Sequence, residues 1–179
     1  MEKSKYFKIR NLAWEVLVKQ KADKLPINIV QICNNMGITV RRFKGDFDGY
    51  NLERNNNIFI FYNEDIKNPG RIRFTIAHEL GHILLNQFDL TYEEKEKEAD
   101  MFAARILVPL GVIQEIGVTS PEEIMKLCKV SYTVASKRYD RLLKVRPRNK
   151  FKTNKLEKQL VKNFEGYIKD QKERKWYMV

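Results

Sequence analysis

Both histidines of the chain lie in one stretch, RFTIAHELGHILL from Arg73 to Leu85, at positions 78 and 82 with Glu79 between them. No other feature of the sequence constrains the fold as tightly. Read as a helix over 71–87, the segment is apolar around most of its circumference through Phe74, Ile76, Ala77, Leu80, Ile83, Leu84 and Leu85, and such a helix belongs inside the protein. Residues four apart stand one above the other on a helix, so the two imidazoles share a face. Two buried histidines among aliphatics need partners for their ring nitrogens. Either each is satisfied separately in the core, or one metal ion satisfies both. The H-E-x-x-H spacing favours the ion, because it sets Glu79 one step around the helix, able to reach a water on the metal without being a ligand. Such an arrangement suits hydrolysis, with an ion that acidifies water and polarises a carbonyl and a glutamate, Glu79, that takes the proton.

A catalytic zinc takes three protein ligands and keeps one position open. With no third histidine, the remaining ligand must be a carboxylate or a thiolate. Cys33 and Cys128 are far apart, form no C-x-x-C and read as ordinary buried thiols. The acidic run EEKEKEAD, 93–100, opens a helix over 92–108 whose apolar stripe is Ala99, Phe102, Ala103 and Ile106, closed by Pro109. At about 100° per residue, the centre of that stripe lies about 70° from Glu96 and about 90° from Glu98 on the other side. Glu93 and Glu94 point further away and suit a solvated first turn that complements the helix dipole. Glu96 is favoured by Asp100 four residues on, which can accept the outer N–H of a liganding imidazole.

Around this pair of helices the pattern is α+β. Leu12, Trp14, Val16, Leu17 and Val18 suggest a first helix, and LPINIVQICNNMG a second that begins near Pro26 and stops at Gly37. ITVRRF (38–43), DGYNLE (48–53) and NIFIFYN (57–63) read as a small, mostly antiparallel three-stranded sheet. NEDIKNPG is a loop, interrupted by Pro69 and Gly70. Beyond Pro109, TSPEEIMKLCKVSYTVASKRYDRLL reads as two short helices, the first capped by Ser120 before Pro121, in a helix-turn-helix-like pattern. Leu156, Leu160, Phe164 and Ile168, spaced at four, mark an amphipathic terminal helix. The expected organisation is a metallopeptidase domain over 1–118, a helix-turn-helix-like region over 119–145 and a basic helical tail over 146–179.

The blocks RIRFTIAHELGHILL and EKEADMFAARILVP resemble those of the ImmA/IrrE metallopeptidases, cytoplasmic gluzincin-like proteases that include anti-repressor proteases of phages and integrative elements. The likeness is strongest from Arg71 to Pro109 and extends from about Pro26 to Leu143; Val108 stands where members commonly have Met. The resemblance implies a zincin-like fold, Zn2+ held by His78, His82 and Glu96, Asp100 as partner of the site and Glu79 as general base. It further implies a substrate, a helix-turn-helix repressor protein cut at a defined bond to release genes of a mobile element or a stress response. A peptide substrate is expected to add a strand to the edge of the small sheet beside the zinc helix. A tetrahedral intermediate also needs an oxyanion donor, for which Tyr50 in the DGY turn is the candidate, ahead of Tyr62 or an arginine.

Two other classes compete. The net charge of +11, from 34 Lys and Arg against 23 Asp and Glu, favours anionic partners. In a DNA-binding regulator the recognition helix would begin near Ser131, with Lys137, Arg138 and Arg141 toward the phosphates and weak DNA contact through the basic C-terminal region. A non-catalytic interaction module, such as one half of a toxin–antitoxin pair, is disfavoured by the intact Glu79, since a purely structural zinc site needs no general base. No apolar run is long enough to span a membrane, and the basic N-terminus lacks the pattern of a secretory signal, so the expected location is the cytoplasm.

Overall fold

The computed structural model describes residues 3–85, 87–145 and 154–176. The chain runs α1 (Lys3–Lys19), α2 (Ile29–Asn35), β1 (Ile38–Phe43), β2 (Gly49–Arg54), β3 (Asn57–Asn63), α3 (Pro69–Leu84), α4 (Tyr92–Leu107), α5 (Leu110–Ile116), α6 (Pro121–Cys128), α7 (Tyr132–Val145), α8 (Lys155–Asn163) and α9 (Glu165–Trp176). The fold is α+β, as the patterning predicts. No helix among the described residues is long and apolar enough to cross a membrane.

The sheet is mixed, which corrects the expectation of a mostly antiparallel one. Its order is β1-β3-β2, with β1 parallel and β2 antiparallel to the central β3. The hairpin explains the arrangement: Asn55 and Asn56 both take left-handed backbone, φ 52° and 60°, the conformation a tight two-residue hairpin requires. That turn fills one edge of β3 with β2. The edge left to β1 places Ile38 and Ile60 on the same buried face, against the helices.

Helix α3 crosses that face. It begins two residues earlier than its apolar pattern suggests, because Asn68 accepts hydrogen bonds from the N–H groups of Gly70 and Arg71 and Pro69 occupies the first turn, where no N–H is needed. Pro69 and Gly70 thus open the helix rather than interrupt a loop, and the helix ends at Leu84 instead of 87. Helix α4 lies alongside, started by a capping box between Thr91 and Glu94. Ala99, Phe102, Ala103 and Ile106 are completely buried, as their spacing requires.

Gly81, inside the HELGH stretch, sets the distance between the two helices. A Cβ there would stand 3.2 Å from the Cα of Ala99 and 3.3 Å from its carbonyl oxygen. The missing side chain lets the α4 backbone approach α3 closely enough for a short carboxylate side chain to reach the histidines.

One continuous apolar core runs from Ile9 in α1 to Ile168 in α9. Helix α5, which the sequence reading did not separate from its neighbours, ends at Gly117 in left-handed backbone with φ 74°. The terminal amphipathic segment is two helices rather than one, parted at Phe164, whose N–H closes α8. The basic stretch over 146–153 lies outside the described residues.

Candidate metal centre

Each of the two histidines is held on its outer nitrogen and aimed by its inner one. His78 Nδ1 lies 2.9 Å from Asp100 Oδ1, and His82 Nδ1 lies 2.9 Å from Gln87 Oε1. An ionised Asp100 only accepts, so His78 must donate through Nδ1. Gln87 spends its amide N–H groups on Lys95 O and Glu98 Oε2, at 3.1 and 3.2 Å, which turns its carbonyl oxygen toward His82 and makes that ring a Nδ1 donor too. In the neutral form each ring therefore presents a bare Nε2 lone pair inward. Those two atoms are 3.0 Å apart, and the Glu96 carboxylate closes the triangle at 3.3 Å from His78 Nε2 and 3.2 Å from His82 Nε2.

Three electron-rich atoms converging at this distance repel one another unless a cation sits among them. A tetrahedral ion with bonds of about 2.0–2.1 Å has its ligands roughly 3.3 Å apart, which is the observed spacing. The residues present fit a metal ion, and His78, His82 and Glu96 could hold one. Electrostatics points the same way. Burial works against a charged His78, yet Asp100, Glu79 and Glu96 outweigh it and raise the pKa above the usual imidazole value. The pocket therefore attracts positive charge, a proton in the absence of metal.

Glu79 is buried on the same helix. Its Oε2 accepts a hydrogen bond of 2.8 Å from the Asn51 amide on β2, while Oε1 accepts none from the described residues. The carboxylate is thus held on one side and available on the other.

A family model, Peptidase_M78 with the description IrrE N-terminal-like domain, matches residues 33–140. The chain belongs to this metallopeptidase family. Comparison with curated proteins found no match. In this IrrE-like domain the matched span includes all three strands and every residue of the His78/Glu79/His82/Glu96/Asp100 constellation.

Of the two flanking glutamates, Glu96 reaches the histidines. Glu98 turns the other way, 4% exposed, with Lys5 Nζ at 2.7 Å from Oε1 and the Gln87 amide on Oε2. Glu98 nevertheless serves the centre indirectly, since it helps orient Gln87. Asn51 and Gln87 were missed in the sequence. Alternation along β2 offered a signal for Asn51, because a strand resting on α3 must aim every second side chain at it. Nothing local marks Gln87, which lies past the end of α3.

The same alternation corrects Tyr50. Asn51 reaches Glu79, and a Cβ on Gly49 would meet the Glu79 side chain at 3.8 Å, so Tyr50 between them faces the opposite side of the sheet. There it stacks on Phe61, with ring centroids 4.7 Å apart, and meets Phe43 and Phe47 edge-on at 5.1 and 5.5 Å. It cannot serve as the oxyanion donor from that face. NIFIFYN is the central strand β3, and of the two edge strands β2 bears Asn51 and lies beside Glu79.

Arg138 does not face a DNA backbone. It is 7% exposed and donates through Nε and Nη2 to the carbonyl oxygen of Val108, at 3.3 and 2.7 Å. Arg141 is half-buried with its guanidinium over the Tyr6 ring, 4.8 Å from the centroid. Of the three cations assigned to a DNA face, Lys137 alone is exposed.

Proposed function

We propose that this chain is a zinc-dependent endopeptidase that cuts a helix-turn-helix repressor at a defined bond, in the cytoplasm, and so releases the genes the repressor holds silent. The observation that carries the catalytic half is the convergence of two Nε2 lone pairs and one carboxylate at 3.0–3.3 Å, beside a buried glutamate with one free oxygen. The repressor half is supported by the resemblance of the HELGH and EKEAD blocks to anti-repressor proteases.

When bound, zinc would supply Lewis acidity, lowering the pKa of a water and polarising the scissile carbonyl. Glu79 takes the proton from the attacking water through Oε1, steadied by the Asn51 amide, and passes it to the leaving amine. Asp100 and Gln87 keep His78 and His82 in the tautomer that offers Nε2 inward. The substrate backbone pairs with the free edge of β2, which carries an extended peptide past Glu79. Among the described residues of the C-terminal region, Lys137 and the exposed lysines of α8 and α9 are available for weak contact with DNA.

The decisive experiment incubates the wild type and Glu79→Gln with the helix-turn-helix repressor encoded beside the gene. Metal-dependent fragments from the wild type only are expected, with both proteins retaining about one zinc per chain. Equal cleavage by the two proteins would remove the mechanism, and an intact repressor in every lane would remove this substrate.

A further inference from the structure

Between α1, α4, α7 and α8, four arginines converge on a cavity of about 80 Å³ that no step of the proposed hydrolysis uses. Arg10 of α1, Arg105 of α4, and Arg138 and Arg141 of α7 line it together with Tyr6, and Glu157 of α8 is the only acid among its described lining residues. Burial works against each of Arg10, Arg105 and Arg138, and the neighbouring arginines add to it: Arg141 bears on all three, and Arg105 on Arg138. Arg138 is brought down to about 9. Glu157 offsets them only in part: it is 1% exposed, and burial pushes its carboxyl up to about 8 against the pull of Arg10.

Part of this cluster has a structural role. Arg138 closes the α4 terminus through Val108 O, and Arg105 donates to Met101 O at 2.7 Å. Those bonds do not account for the rest. Arg105 is 4% exposed, yet its Nε has no hydrogen-bond partner among the described residues. Arg141 makes no hydrogen bond to them, only the stack on Tyr6. Arg10 donates through Nε and Nη2 to Asn11 and lies over the Phe7 and Trp14 rings, with no hydrogen-bond partner for Nη1 among the described residues. A second, more open cavity of about 290 Å³ shares Tyr6, Arg105, Arg138 and Arg141 as a wall and extends to Asp100, the partner of His78.

We propose that this arginine cluster is a binding site for a phosphate-class oxyanion, as the free ion or as a phosphate monoester. Donors arriving from α1, α4 and α7 surround the cavity, which suits a tetrahedral anion with acceptors on every side better than a planar carboxylate satisfied by one arginine fork. A dianion also offsets more of the uncompensated charge. The cavity holds the share of roughly two to three waters at about 30 Å³ each, enough for one phosphoryl group and too little for a nucleotide, whose remainder would have to lie outside. The Tyr6 phenol reports the same field: burial alone would raise its pKa, but Arg105, Arg141 and Arg138 bring it below the ordinary value. The proposal stands whether or not the chain cuts a repressor.

The test is calorimetric titration and thermal melting of the full chain with inorganic phosphate and, separately, phosphoserine amide, each against sodium chloride at matched ionic strength. Phosphate binding with a rise in melting temperature is expected in the wild type and in Lys67→Gln, an exposed control in the loop before α3. Arg141→Gln and Arg10→Gln, which remove neither helix-closing bond, should each weaken binding by about tenfold or more, as expected for loss of a charge-assisted hydrogen bond. Tighter binding of phosphoserine would assign the site to a monoester, and tighter binding of phosphate to the free ion. No effect beyond chloride, or equal affinity in the wild type and both arginine variants, would overturn the site. If Arg141→Gln does not fold, Arg10→Gln decides.

Discussion

At the scale of single residues, the centre depends on groups that never touch the metal. Asn51 holds Glu79 from a strand, at 2.8 Å, and its loss leaves the carboxylate free to rotate. Asn51→Ala should lower kcat roughly tenfold with zinc content unchanged, since a base displaced from its productive position forfeits part of its effect. An unchanged kcat would show that Glu79 orients itself. His78 supplies a pH dependence whose sign can be worked out. Its folded pKa lies above 6.5, so the metal-free protein gains stability from the protonated ring below that value and loses it as pH rises through the folded pKa. A metal needs the neutral ring and must displace that proton once pH falls through the raised value. Zinc affinity, measured against a chelating dye from about pH 8 to about 5.5, should then drop by about tenfold per unit for each proton displaced. A flat profile would mean that no histidine proton competes.

At the scale of elements, the spacing of α3 and α4 decides which carboxylate completes the site. Gly81→Ala tests this. Alanine is favoured over glycine in a helix interior by about 1 kcal/mol, which alone would stabilise the variant. The added methyl, however, meets the Ala99 backbone at 3.2 Å, and two packed helices yield less easily than a flexible side chain. Forcing them apart is expected to cost about 1–3 kcal/mol and to weaken zinc binding more than the fold, because Glu96 withdraws from both histidines. Equilibrium unfolding and dye competition read the two effects separately. Wild-type zinc affinity in this variant would show that the helix spacing does not govern the ligand set.

At the scale of the whole molecule, the C-terminal helices are packed on the body through a group with an unusual proton affinity. Glu157 in α8 lies against Gly111 of α5, in the position where a Cβ would stand 2.9 Å from its Oε1, and burial raises its carboxyl to about 8 against a pull from Arg10. An acid whose folded pKa exceeds the unfolded value near 4.5 keeps its proton on folding, so stability declines as pH rises from about 4.5 to about 8. Glu157→Gln should flatten that decline and melt higher than the wild type at about pH 8. Parallel melting profiles would show that the carboxyl titrates normally. The sequence by itself determined the alignment of His78 with His82, the nearness of Glu79 and the apolar stripe of α4, because helix periodicity is a local property of the backbone. It also narrowed the third ligand by angle to Glu96 or Glu98 and favoured Glu96 through Asp100 four residues on. Only the tertiary structure turned Glu98 toward Lys5 and Gln87, turned Tyr50 away from the site, put Arg138 inside, and brought Asn51 and Gln87 to Glu79 and His82. Those outcomes depend on which face of one element meets another, and that is set by close packing between segments distant in the chain, such as Gly81 against Ala99.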